Sequence, residues 1–549
     1  MSSITPPGTK SIRWMILGGV LLGLSYPPLP LGPIAVIAFV PFFLLMEPID
    51  TYWKAIRYAY GFIFIFNLIT LYWPGGFIHG KDGYLMIAGL AVIFLHPLFF
   101  LITIPPFIFI KKHFNSHIAI LTFPLLWVGF EYLHSLTEYS FPWVLLGYTQ
   151  TYNLLAIQFA SFTGVYGISL WLMYINVGFY FLYIVLLRKH ATFKSPGALW
   201  IFGCIILLYI VPQLYGMIII NHNEQKQTNP SKLIKIGVIQ PNIDPFDKWT
   251  VPPKEQIAIL ESMTVQAVME PVKLIVWPET AIPSYILPPG ESLEYVKLEK
   301  IVDTLNILLL TGVPDIHYYT AGSHIPKSAM TSVSGARYDS YNSTVLLTPR
   351  SEEIQKYHKI HLVPYAERVP YSEFLSILNA MKWNFGLGGW GIGSDTTIFH
   401  FVDRGGREYR FANAICYESI YPGFIAEFVK KGAEFITVIT NDSWWGNTSG
   451  VYQHEQIGRL RAVENRRWVV QCSNGGISCF IDPYGRILNK SNFDSRCIIN
   501  QDIEPLRELT FYTIHGDWLA DSCLILSAFI LTAGMGKKCY QSIKRQGFE

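Results

Sequence analysis

Three short stretches of this 549-residue chain carry a glutamate, a lysine and a cysteine in settings suited to acyl transfer. Glu279 ends Leu274-Ile275-Val276-Trp277-Pro278-Glu279. Lys359 lies in Tyr357-His358-Lys359-Ile360-His361-Leu362-Val363-Pro364, and Cys416 in Asn413-Ala414-Ile415-Cys416-Tyr417-Glu418. A thiol, a base and a fixed cation are the minimum set for acyl transfer through a thioester. Glu279 follows a strand-like run, and strand ends in α/β domains are where sites are built. Burial among Trp277, Ile282 and Pro283 would raise its pKa toward that of a working general base, because desolvation disfavours the anion. Lys359 is a candidate oxyanion donor that would also favour a nearby thiolate. A cysteine at the turn after Ile415 can expose its sulfur while the next backbone N–H faces a developing oxyanion. Each position alone has a plainer reading: a strand-end carboxylate, a solvated loop lysine, a buried structural cysteine. It is the combination that points to chemistry.

The elements that must hold these residues divide into two kinds. Half of the residues are hydrophobic and only 15% are charged, against roughly 25% in ordinary globular proteins. Mean hydropathy is +0.30. An integral membrane protein with a large polar part is expected. The formal charge of +3 is small, and no Lys/Arg-rich stretch points to nucleic acid. The seven cysteines make no Cys-x-x-Cys pair and no zinc spacing, so neither a metal nor a disulfide framework is expected. No cofactor is implied.

Residues 1–220 read as a membrane domain. The runs 84–110, 155–187 and 196–220 contain no Asp, Glu, Lys or Arg, and each exceeds the ~20 residues needed to cross a bilayer. Helices are expected near 12–26, 33–48, 57–74, 84–110, 118–134, 157–187 and 197–218, with an eighth near 517–535. Lys10 and Arg13, Lys54 and Arg57, Lys111 and Lys112, Arg188 with Lys189 and Lys194, and Lys537 with Lys538 mark alternate loops. This is the positive-inside pattern. It predicts cytoplasmic termini and a block 221–515 on the far side of the membrane; 516–549 forms the last span and tail. In the block, 221–227 reads as a linker. Strand-like runs at 233–240, 272–276, 307–311, 343–347, 411–415, 435–440 and 468–471 alternate with helical patterns at 254–269, 293–305, 421–431 and 452–467, which predicts an α/β domain.

The order Glu279, Lys359, Cys416, with these flanks, resembles the Glu–Lys–Cys triad of the carbon–nitrogen hydrolase (nitrilase) superfamily. The resemblance runs from about 234 to 505. The flanking spans and Tyr-x-Lys-x-His-Leu-Val-Pro narrow it to the apolipoprotein N-acyltransferase branch. Ile239-Gln240-Pro241-Asn242-Ile243 with Lys248-Trp249, and Asn441-Asp442-Ser443-Trp444-Trp445-Gly446, resemble that branch. So do His454, Arg459-x-Arg461-Ala462-x-Glu464 and Asn474-x-Gly476-Ile477-Ser478. The resemblance implies a nitrilase-like α-β-β-α sandwich, extracytoplasmic, on a multi-pass bundle of about eight spans in a bacterial inner membrane. It implies transfer of a phospholipid acyl chain to the α-amine of a diacylglyceryl-cysteine on an apolipoprotein, by a monomer. It assigns Glu279 as base, Lys359 as oxyanion stabiliser and Cys416 as nucleophile. Glu367 matches a second glutamate near the triad. Tyr417 and Glu418 match residues shaping the nucleophile turn. Trp249 matches a tryptophan on a mobile arm, and Trp444 belongs to a loop on the substrate side. Two departures stand out: Ala366 replaces a common glycine, and Gln471-Cys472-Ser473 lacks a frequent arginine.

Trp143, Tyr148 and Tyr152 fall near an outer interface, where aromatic belts form. Three rival functions share this sequence. A tethered amidase for a small polar substrate would use the same triad. A transporter would need ionisable groups such as His96 and Glu131 within its spans. A catalytically dead scaffold for lipoproteins would use neither.

Overall fold

Sparsely charged, apolar sequence makes helix through most of the first 224 residues. The computed structural model describes residues 9–188, 191–224, 230–287, 292–320, 322–323, 325–326, 329–371, 389–403 and 405–546. Its helices are α1 (Thr9–Leu24), α2 (Val40–Met46), α3 (Tyr52–Thr70), α4 (Gly83–Phe100), α5 (Ile104–His113), α6 (Ser116–Ser135), α7 (Ala160–Tyr183) and α8 (Pro196–Glu224). These are followed by α9 (Pro253–Ala267), α10 (Leu293–Leu305), α11 (Pro422–Lys430), α12 (Ser449–Asn465), α13 (Phe511–His515) and α14 (Trp518–Gln546). Among the described residues, five stretches are long and apolar enough to cross a membrane: Leu85–His113, Ser116–Ser135, Ala156–Arg188, Pro196–His222 and Trp518–Lys544.

Two expected helices are not continuous. The run expected at 84–110 breaks into α4 and α5 across a 3-10 turn, Leu101–Thr103. Pro97, Pro105 and Pro106 cluster around the break, and proline removes the N–H that would continue the ladder. The one expected at 33–48 is a 3-10 turn, Gly32–Val36, followed by α2. The expected linker at 221–227 begins as the last turn of α8, and its remainder, 225–227, lies outside the described residues.

The polar block holds thirteen strands among the described residues. They are β1 (Ile234–Gln240), β2 (Leu274–Val276), β3 (Leu308–Tyr318), β4 (Met330–Thr331), β5 (Arg337–Leu347), β6 (Gln355–His358) and β7 (Phe399–Val402). After these come β8 (Glu408–Ile415), β9 (Phe435–Thr440), β10 (Val469–Ser473), β11 (Cys479–Ile481), β12 (Ile487–Leu488) and β13 (Cys497–Ile503). One sheet runs β13-β1-β2-β3-β5-β4, with β6 beside β5. The other runs β12-β11-β10-β9-β8-β7. β1, β2 and β3 are mutually parallel, as are β8, β9 and β10.

A dry core joins the sheets. Ile236, Val238, Val276 and Leu346 of the first share one buried cluster with Phe411, Ile415, Ile439 and Val470 of the second. α9 and α10 cover the outer face of the first sheet through Ile257, Leu260 and Leu298. Ile425 and Phe428 of α11 and Ala462 of α12 cover the second. This is the expected α-β-β-α sandwich, with strands buried on both faces and therefore continuously apolar.

The outer helical layer also docks on the apolar helices of the first region. α12 is rich in polar residues, yet it is buried over nearly its whole length. Ordinary surface helices bury one stripe; this one is buried all round because partners in the first helical region satisfy its polar groups. Gln453 accepts from the indoles of Trp73 (3.0 Å) and Trp143 (2.8 Å) and donates to the carbonyls of Pro27 and Thr70. Arg461 donates to Glu464, and Glu464 accepts the N–H of Val165 (2.9 Å). That amide is freed where α7 bends at Gly164, whose φ of 66° and ψ of −176° suit glycine.

Trp143 and Tyr148 therefore do not form an exposed belt. Both are buried in this junction, Trp143 on Gln453 and Tyr148 donating to the carbonyl of Ile420, while Tyr152 remains partly exposed. His96 and Glu131 are buried in packing contacts: His96 bonds Asn67, and Glu131 accepts from Trp127 and from the N–H of Leu146.

Candidate active site

The ends of β2, β6 and β8 bring the three candidate residues together. β2 ends at Val276, and the N–H of Trp277 donates to Leu310 on β3 (2.8 Å), which carries the chain past the sheet edge. A side chain at Gly312 would meet the N of Thr280 at 2.4 Å, so glycine lets β3 pass under the turn. The carboxylate of Glu279 is then buried and accepts from Asn342 Nδ2 (2.8 Å) and Lys359 Nζ (3.4 Å).

Lys359 follows β6, and its N–H donates to the carbonyl of Asn342, prolonging the pairing with β5. Its side chain is 1% exposed and its ammonium donates to Glu367 (2.8 Å). Burial opposes that charge, but the carboxylates of Glu367 and Glu279 outweigh it and hold the lysine above its ordinary pKa. The result is a permanent, immobile ammonium. Glu367 also accepts from the N–H of Val363 (2.8 Å) and from Asn342 Nδ2 (3.3 Å). Asn342 thus bridges both carboxylates around one lysine.

Cys416 begins a 3-10 turn directly after β8, with φ of 52°. A non-glycine residue rarely adopts this left-handed conformation and needs local contacts to hold it. Burial and the charge of Glu279 push the thiol well above its ordinary pKa, while Lys359 pulls it partly back. It rests as a thiol and needs a base.

Glu418 joins the Cys416 turn to the lysine segment. One oxygen accepts from Tyr357 OH (2.6 Å) and from the N–H groups of Ile360 (2.6 Å) and His361 (3.2 Å). The other accepts from the N–H of Ile415 (2.8 Å). Burial pushes this carboxyl up to about 7. Tyr417 donates its hydroxyl to the carbonyl of Ser140 (2.6 Å) and stacks on Phe141. The Cys416 turn is therefore seated on the loop between α6 and α7.

The two tryptophans lie further out. Trp249 is 40% exposed on the segment after β1, and Trp444 packs edge-on against Phe246 of that same segment (5.2 Å). Among the described residues no contact takes either to Glu279, Lys359 or Cys416. It is the neighbouring Lys248 that reaches Glu279, donating to its backbone carbonyl and to Thr280 Oγ1 (both 2.9 Å). Burial pulls this lysine down to about 8.

Lys248 and Asn342 are the site residues that the sequence reading missed as such. Asn342 had a signal: it is polar in a run that continues into the apolar Val345-Leu346-Leu347. Lys248 was visible only as part of a motif. Among the described residues no cluster of three His, Cys, Asp or Glu could hold a metal. Cys472 and Cys479 are free thiols. What the arrangement can do is bring a buried thiol, a carboxylate and a fixed cation to bear on one ester or amide carbonyl.

Comparison with known proteins gives the same two parts. Residues 18–178 match the apolipoprotein N-acyltransferase N-terminal domain, and residues 235–508 match the carbon–nitrogen hydrolase domain. The chain is 34% identical to the apolipoprotein N-acyltransferase of Chlorobaculum tepidum over 95% of this chain and 96% of that one. It is 29% identical to that of Geobacter metallireducens over 95% of each. It is 30% identical to that of Rickettsia typhi over 95% of this chain and 97% of its relative. A bipartite match over nearly full length, on a sandwich that gathers Glu279, Lys359 and Cys416, means that this chain belongs to the apolipoprotein N-acyltransferase family.

Proposed function

We propose that the protein moves an acyl chain from a membrane phospholipid to the N-terminal α-amine of a diacylglyceryl-cysteine on an apolipoprotein, in two half-reactions through Cys416. In the first, Glu279 takes the thiol proton and the sulfur attacks the ester carbonyl. The ammonium of Lys359 and the N–H of Tyr417 hold the oxyanion. The ester C–O bond breaks, and the lysophospholipid alkoxide leaves with the proton that Glu279 returns. In the second, the lipoprotein amine attacks the thioester and loses a proton toward Glu279. The C–S bond then breaks and the thiol is restored.

The observation that carries this reading is the buried ammonium of Lys359, fixed between Glu279 and Glu367 and acting electrostatically on the Cys416 thiol. Glu367 and Asn342 fix that ammonium, Glu418 sets the turn, and Trp249 and Trp444 stand on the substrate side. The burial of Cys416 keeps water from the thioester. The apolar helices favour a lipid donor over a small polar one. A tail kept in the bilayer avoids a cost of ~0.8 kcal/mol per exposed methylene. We place the catalytic block 221–515 on the periplasmic side of a bacterial inner membrane, with the 1–220 bundle and the last helix giving eight spans, both termini cytoplasmic, in a monomer.

The test is acyl transfer from a radiolabelled phospholipid to a diacylated lipopeptide by the purified protein. The reading expects lysophospholipid release and lipopeptide labelling together, both abolished by Cys416→Ala. Full activity of Cys416→Ala, or hydrolysis of small amides with no lysophospholipid, contradicts it.

A further inference from the structure

A second constellation of reactive side chains lies behind the nucleophile and takes no part in the steps above. Ser419, three residues after Cys416, donates its hydroxyl to the carbonyl of Cys416 (2.8 Å). His454 Nε2 lies 2.8 Å from that hydroxyl, and its Nδ1 lies 3.0 and 3.1 Å from the two oxygens of Asp442. Asp442 also accepts the hydroxyl of Thr440 (2.6 Å), and Thr440 in turn interacts with the Cys416 thiol. Ser419, His454 and Asp442 are each at most 1% exposed. Three elements supply them: the nucleophile turn, the 3-10 turn after β9, and α12.

The order is that of an acid–base triad, but no substrate can reach its serine. The place where it ends gives its use. The carbonyl that Ser419 holds belongs to the same peptide group as the N–H of Tyr417. A hydrogen bond accepted by a peptide carbonyl polarises the whole group and strengthens its N–H as a donor. It also fixes the plane of that peptide, and with it the left-handed backbone of Cys416. Proton counting agrees on the direction. With Ser419 donating to the carbonyl, His454 must donate from Nε2 to the serine oxygen. Its Nδ1 then meets Asp442 across a second proton, so all three contacts are hydrogen bonds.

We infer that Ser419, His454 and Asp442 form a buried positioning relay that aims and polarises the Cys416–Tyr417 peptide as an oxyanion donor. The inference rests on Cys416 being the nucleophile. The relay touches no substrate, so its loss costs less than the 10²–10³-fold typical of deleting a direct oxyanion donor.

The experiment compares two reactions of the same sulfur in the full-length protein. Lysophospholipid release passes through an oxyanion; alkylation of Cys416 by iodoacetamide does not. Ser419→Ala should lower kcat for release about tenfold with KM unchanged, while the alkylation rate stays within about twofold of the parent. Asp442→Asn keeps the shape of the relay and removes its charge, and should give the same split to a smaller degree. It decides alone if Ser419→Ala does not fold. Unchanged kcat in the folded variants overturns the relay. So does a parallel fall of release and alkylation, which would mean that these residues only hold the turn together. Release that survives in Cys416→Ala overturns the nucleophile assignment instead, a separate outcome.

Discussion

At the scale of single residues, the site is a matter of charges held where water cannot relax them. The thiol of Cys416 is raised, so its thiolate fraction is small near neutrality and grows about tenfold per pH unit until the pH nears that raised value. Iodoacetamide alkylation of the free protein should therefore keep climbing beyond pH 9 without levelling off. Because Lys359 pulls that pKa down, Lys359→Met should slow alkylation at every pH in this range. A plateau below pH 9 would mean the thiol is not raised. In acyl transfer, Glu279→Gln should cost about 10²–10⁴-fold, the usual contribution of a positioned base, read as the rate of lysophospholipid release. Glu418→Gln has another signature. A carboxylate accepting from Tyr357, Ile360, His361 and Ile415 becomes an amide that must aim a donor at donors. A loss of about 2–3 kcal/mol is expected, seen as a lowered thermal midpoint.

These roles were unevenly legible. Glu279, Lys359 and Cys416 each stand in a short stretch with a local signature, and a chain-order motif is readable without coordinates. Asn342 stands out only as a polar residue in a strand run, and Ser419 acts through a turn's geometry, which no spacing encodes. Trp249 carried a motif signal, yet its neighbour Lys248 makes the contact with Glu279.

At the scale of elements, the strands were legible because burial on both faces leaves continuous apolar runs. β5 reads in sequence as five residues, yet runs over eleven, since its polar half Arg337-Tyr338-Asp339-Ser340-Tyr341 carries no apolar pattern. α12 was read as an ordinary helix of the α/β domain, but its polar face is the junction with the helical bundle. Gln453 concentrates that junction in one amide with four partners. Gln453→Leu strands two buried indoles and two carbonyls, each costing roughly 1–3 kcal/mol when unpaired. It should lower the thermal midpoint and open the junction of α12 with the Trp73 and Trp143 segments to limited proteolysis before the sandwich core. An unchanged midpoint would show that the two parts dock without it. The kink of α7 offers a second probe. At Gly164 an alanine would need a backbone conformation that side chains disfavour, and its Cβ would meet the Tyr512 ring at 2.5 Å.

At the scale of the whole molecule, apolar side chains are left outside the bundle. Leu199, Trp200, Leu207 and Ile218 of α8, and Ile525 and Phe529 of α14, are exposed in the absence of lipid. A patch of this kind calls for a bilayer. The direction of insertion was read only from loop lysines and arginines, since no contact within the protein encodes it. Cys539 offers a direct check, being exposed after Lys537 and Lys538. A membrane-impermeant maleimide should label it in inverted vesicles and not in intact spheroplasts; the opposite pattern would reverse the topology.

The central claim is that a phospholipid acyl chain rests on the sulfur of Cys416 between donor and acceptor. Mass spectrometry of the intact protein, incubated with phospholipid and no lipopeptide, tests it most directly. The account predicts a fatty-acyl adduct located at Cys416, removed by hydroxylamine and by added lipopeptide, and absent from Cys416→Ala. Turnover with no adduct at any time, or an adduct on another residue, would contradict it.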